Sequence, residues 1–96
     1  LYLNANTFKE DAWIMKRLQS DLIYLKSTQL DNTLVFSFEN FSFFGVWSVP
    51  GSPFVCLEPW AGLPDSEKHT LDITVKEGII VLEPNKDWCA KWAVNI

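Results

Sequence analysis

The chain has 96 residues, enough for one domain or less, and its 48% hydrophobic content with five Trp and seven Phe excludes a disordered segment. A net charge of −4, with the Lys and Arg residues scattered along the sequence, excludes the basic footprint that nucleic acid requires. No apolar run approaches about 18 residues and neither a signal-peptide pattern nor a polybasic anchor is present, so a soluble, cytoplasmic protein without membrane contact is expected.

In chain order, Lys9 to Gln19 carries Ala12, Met15 and Leu18 at helical spacing, a pattern that allows a short helix. Leu22–Ser27 and Thr33–Glu39 flank the turn formers Asp31 and Asn32, which predicts a β-hairpin. Alternation in the second of these strands sets Leu34, Phe36 and Phe38 on a buried face, against Val35, Ser37 and Glu39. Pro50 and Gly51 suit the second and third positions of a type II turn, so VPGS predicts a turn. A strand covered on both faces should follow, from Phe54 to Glu58, with Phe54, Cys56 and Glu58 on one side and Val55 and Leu57 on the other. Pro59 lacks an N–H and should end that strand at Glu58. Pro84 and Asn85 form the next turn, and Asp87 to Ile96 alternate as a long amphipathic strand. The elements describe an all-β chain, an antiparallel β-sandwich.

Glu58 is the first candidate for chemistry. Strand interiors rarely hold an unpaired carboxylate, because its desolvation is costly unless a partner or a function offsets it. A purely structural role would have it cap the strand end or pair with a lysine such as Lys76. Trp60, two residues on, has a wide apolar face, whereas Trp47, Trp88 and Trp92 suit core or sheet packing. Cys56, Cys89 and the single histidine, His69, lack the spacing of a metal site, so no metal or cofactor is expected. Whether the two cysteines pair depends on strand placement. His69, in the polar run SEKHT, suits an exposed loop.

The run FFGVWSVPGSPFVCLEPWAG, followed by DSEKHTLDITVKEGIIVLEP and preceded by TFKEDAWIMKRL, resembles the C-terminal part of the aldose 1-epimerase (galactose mutarotase-like) family. The resemblance covers nearly the whole chain, in several segments in the same order. It implies that residues 1–96 are the last third of a large mutarotase-like β-sandwich, and a start at Leu1 rather than Met agrees with that. It also favours a short strand over the helix near residue 12. By the same resemblance, Glu58 matches the family's catalytic general base and Asp11 its sugar-binding aspartate, the partner being an aldose, to whose C–H groups Trp60 would offer the apolar face of its ring. The family's acid is a histidine that precedes this segment, as is a second, substrate-binding histidine, and neither is present here. Two other readings stand beside this one. In the first, the chain is a non-catalytic carbohydrate-binding β-sandwich. In the second, its aromatic face is an association surface, for self-association or for pairing with a missing N-terminal part.

Overall fold

Six strands and one turn of 3-10 helix make up the fold, seen in a computed structural model that describes residues 1–96. The hairpin forms as its alternation dictates: β2 (Leu22–Lys26) pairs antiparallel with β3 (Thr33–Glu39), Ile23 opposite Phe36 and Leu25 opposite Leu34. The far edge of β3 takes β6 (Lys91–Asn95), closing a three-stranded sheet in the order β2-β3-β6. The second sheet has the order β1-β4-β5, with β1 (Trp13–Lys16), β4 (Phe43–Trp47) and β5 (Cys56–Trp60), again antiparallel throughout. The region near residue 12 thus leads into a strand rather than a helix. No helix is long and apolar enough to cross a membrane.

The two sheets meet through phenylalanines. Phe36 and Phe38 from β3 pack against Phe44 and Val46 from β4, with Phe8 completing the buried cluster. Phe44 is fully buried, its ring edge-on to Phe36 at 5.4 Å and tilted against Phe38 at 4.7 Å. Such pairs add to the gain from burial alone. Met15, Val55 and Leu57 line the margin of this core. Residues at even positions of β1 and β5, and at odd positions of β4, therefore point away from it.

Two strand boundaries differ from expectation. β5 starts at Cys56 rather than Phe54 and runs through Pro59 to Trp60 instead of stopping at Glu58. It is an edge strand, and an edge tolerates proline because no further strand needs its missing N–H. The C-terminal strand is regular only over Lys91–Asn95, shorter than Asp87–Ile96, because β3 ends at Glu39 opposite Lys91 and leaves the residues before Lys91 without a partner. The turns follow the sequence. Gly51 has φ +80°, and the Ser52 N–H donates to Val49 O at 3.0 Å, closing the VPGS turn. The Lys86 N–H donates to Glu83 O at 3.1 Å across Pro84 and Asn85.

Between β5 and β6 the chain makes a long loop whose base is pinched by two glycines. A Cβ placed on Gly78 would come within 3.7 Å of Gly62 Cα and 2.5 Å of the Phe43 ring. Gly78 also has φ +76°, a conformation glycine adopts without steric cost. Asp72 caps the 3-10 turn Ile73–Val75 by accepting from the Thr74 N–H. Ion pairs Lys76–Asp65 at 2.7 Å and Lys16–Glu77 at 2.9 Å tie the loop to itself and to β1.

Candidate functional site

Glu58 and Trp60 lie on the outward face of the β1-β4-β5 sheet, on the side opposite the phenylalanine core. Cross-strand register sets Ile14, Gly45 and Glu58 in one row, and Lys16, Phe43 and Trp60 in the next. Being two apart on one strand, Glu58 and Trp60 share that face. The Trp60 Nε1–H donates to Glu58 Oε2 at 3.1 Å, and both side chains are half-buried. Glu58 therefore sits in mid-strand with an indole partner. It neither caps a strand end nor pairs with Lys76, whose partner is Asp65.

Gly45 makes this arrangement possible. A Cβ at that position would lie 3.2 Å from Trp60 Cε2 and Cζ2, tighter than ordinary contact, so the indole lies over bare backbone. A glycine inside an apolar strand signals close approach by another group, and Gly45 in FFGVW carries that signal without naming the group. Phe43 is buried below the Gly78 end of the loop, and Lys16 is held by Glu77, so the loop borders the Trp60 end of the face. Ile14 borders the Glu58 row.

Asp11 stands elsewhere. From Glu58 it is two strands across and three residues along from the Ile14 row, outside regular β structure at φ 117°. Its Oδ1 accepts the Ala12 N–H at 2.8 Å, a local turn bond, and its side chain is exposed. It borders an open hollow of about 660 Å³ built from Asn6–Thr7 and Lys9–Ile14, which does not include Glu58. His69 is exposed in the long loop, its Nδ1 2.7 Å from Ser66 O, and lines a cavity of about 440 Å³ made by loop residues alone. The structure brings Glu58 and Trp60 together and keeps Asp11 and His69 apart from them.

The remaining candidates are structural in placement. Trp47 packs on Phe54 at 6.3 Å between ring centres, and Trp88 is edge-on to Phe41 at 6.0 Å. Trp92 stacks on Phe36 at 5.9 Å. Cys56 and Cys89 are not bonded to each other, and no cluster of His, Cys, Asp and Glu has the arrangement of a metal site. Chemically, the Glu58 carboxylate has one oxygen oriented by an indole N–H, beside an aromatic surface.

Among curated proteins the chain is similar to Protein LacX, plasmid, and Protein LacX, chromosomal, both from Lactococcus lactis subsp. lactis. Each match is 37% identical over 67 residues, covering 69% of this chain and 22% of the LacX protein. The chain thus spans about a fifth of the length of the curated relatives it matches. No protein-family model and no solved structure matches it.

Proposed function

We propose that this chain carries the base side of an aldose 1-epimerase site, as the C-terminal portion of a mutarotase-like sandwich acting on a free aldose in the cytoplasm. The observation that supports this most is the pairing of Glu58 with Trp60 over Gly45 on one outward sheet face. The partial similarity to the LacX proteins agrees with it, as does the resemblance in the flanking segments.

In this reading the sugar lies with its C–H face on the Trp60 indole and its C1 hydroxyl at Glu58. The carboxylate takes the hydroxyl proton as C1 becomes a carbonyl. The C1–ring oxygen bond breaks, and an acid protonates the ring oxygen. Rotation about C1–C2 turns the other carbonyl face to the ring hydroxyl. Reclosure then returns both protons and gives the opposite anomer. No change of oxidation state occurs. A well-placed acid or base contributes about 10²–10⁴ in rate. Trp60, through its bond to Oε2, fixes the direction in which the base points. The acid is not part of the Glu58–Trp60 pair, and His69 lines a different cavity. For that reason a second reading has a specific observation behind it: an aromatic face plus a hydrogen-bonding acid suffices to hold a sugar without chemistry.

Polarimetry on freshly dissolved α-glucose and α-galactose separates them. Accelerated mutarotation that falls by about 10²-fold or more in Glu58→Gln, with sugar affinity changed only a few-fold, supports the epimerase reading. Saturable, sugar-dependent quenching of Trp60 with no acceleration supports binding alone. Neither acceleration nor a Trp60-dependent response overturns both.

A further inference from the structure

On the outward face of the β1-β4-β5 sheet, the Trp60 indole does not rest on its own cross-strand partner. Register sets Trp60 opposite Phe43 and Glu58 opposite Gly45. Yet an ideal Cβ on Gly45 would stand 3.2, 3.2 and 3.4 Å from Trp60 Cε2, Cζ2 and Nε1. The indole thus leans back along β5 by one row, into the row of Glu58. Aromatic residues directly opposed on antiparallel strands ordinarily gain from ring contact, so Phe43 is where the indole would otherwise settle.

The long loop between β5 and β6 closes that position. Its returning backbone at Gly78 is seated on the Phe43 ring, where an added Cβ would stand 2.5 and 2.8 Å from Cε2 and Cζ. Phe43 is buried as a result. Lys16, next in the same row, is held by both oxygens of Glu77 at 2.9 and 3.0 Å. The row of Trp60 is covered by the loop, while the row of Glu58 has bare backbone at its centre. Close packing on the Phe43 side leaves the Gly45 side open to the indole. That direction brings Nε1–H to Glu58 Oε2 at 3.1 Å, and an N–H donated to an ionised carboxylate is among the stronger hydrogen bonds.

We infer that the loop, seated on Phe43 at Gly78, is the element that turns Trp60 onto Glu58, so that Phe43, Gly78 and Gly45 are positioning residues and Oε1 is the oxygen that takes the proton. What Oε1 does rests on the epimerase reading above, whereas the clamp on Oε2 rests on the geometry alone. With Oε2 engaged, rotation of the carboxylate is restrained and Oε1 has a fixed direction. Such restraint acts on the rate, since a displacement of roughly 1 Å at a reacting group can cost about 10²-fold.

The clamp is tested by hydrogen exchange of the Trp60 Nε1–H, whose resonance is identified by its loss in Trp60→Phe. Phe43→Leu and Gly78→Ala each disturb the seat without touching Glu58 or Trp60 themselves. Both should speed that exchange roughly tenfold or more, toward the rate in Glu58→Leu. Asp65→Asn, which breaks the tie to Lys76 elsewhere in the loop, should leave it unchanged. Exchange unaltered in both Phe43→Leu and Gly78→Ala overturns the role of the loop. The use of the clamp is tested by polarimetry with Trp60 replaced by 3-benzothienylalanine, which keeps the ring shape and exchanges the N–H for sulfur. It should lower kcat about tenfold while KM changes by less than about threefold. An unchanged kcat, with Glu58→Gln still inactive, overturns the assignment of Oε1 and leaves the epimerase reading standing. No acceleration by the unsubstituted protein overturns that reading and the role of Oε1 together, a failure separate from that of the clamp.

Discussion

Gly45 controls the Glu58–Trp60 pair from across the strand boundary. Substituting valine puts three carbons where Trp60 Cε2 and Cζ2 already stand 3.2 Å from an ideal Cβ, so the indole must swing off β4 and release Glu58 Oε2. Gly45→Val should cost about 1–3 kcal/mol in urea unfolding, the range for overpacking. It should also red-shift the emission component that Trp60→Phe removes. An unshifted emission would mean that the indole does not depend on the bare backbone at Gly45. Glu58 and Trp60 could be picked out in the sequence because a carboxylate in an apolar run and a tryptophan two residues on are both local features. Gly45 was harder to assign, since its meaning depends on which residue of the neighbouring strand lies over it. Asp11 illustrates the same limit. Its local turn chemistry was readable, but its distance from Glu58 follows from strand order, which no short window encodes.

Among the elements, the long loop between β5 and β6 responds to acid in a defined direction. Thr74, through its hydroxyl and its N–H, holds the Asp72 carboxyl below its ordinary value of 3.8. Lys76 does the same for Asp65, first by its hydrogen bond and then by its charge. A carboxyl whose folded value is depressed contributes stability that is present above its unfolded value and is lost as pH falls through the lowered folded value. The 3-10 turn and the Lys76–Asp65 tie should therefore hold down to about the ordinary carboxylate range and loosen below it. NMR shifts of the Thr74 and Lys76 amides, followed downward from neutral pH, should move in that window, and Asp72→Asn should abolish the movement at Thr74. Movement at neutral pH would point to a different group. The hairpin and the VPGS turn were legible because alternation and a Pro-Gly pair act within a few residues. The continuation of β5 through Pro59 was not, because a proline ends a central strand but not an edge strand, and only the assembled sheet distinguishes the two.

As a whole the molecule is drawn out. Its radius of gyration is 15.8 Å, against about 12.5 Å for a compact chain of this length. Nine of 96 residues are buried, so stability is concentrated in the phenylalanines between the sheets. Phe44→Ala should remove about 3–5 kcal/mol and leave the chain largely unfolded at room temperature, as circular dichroism would report. A cooperative transition at near wild-type denaturant concentration would show that the two sheets are held together by something other than this cluster. The fold class was legible from composition and alternation. The division of strands between sheets was not, because β1, β4 and β5 in one sheet enclose β2 and β3 of the other in sequence.

That interleaving bears on how the chain is made. β3 ends at Glu39 and its second neighbour begins at Lys91, so during synthesis the strand at the centre of its sheet waits for 52 further residues before its outer edge is closed. At about 5–20 residues per second the wait is roughly 3–10 s, far longer than the microseconds a hairpin needs to form. Through that interval the outer edge of β3 in the nascent β2–β3 hairpin presents unpaired backbone N–H and C=O groups from Val35 to Glu39. The strand at the centre of the finished sheet is thus the one that most needs shielding while the chain emerges.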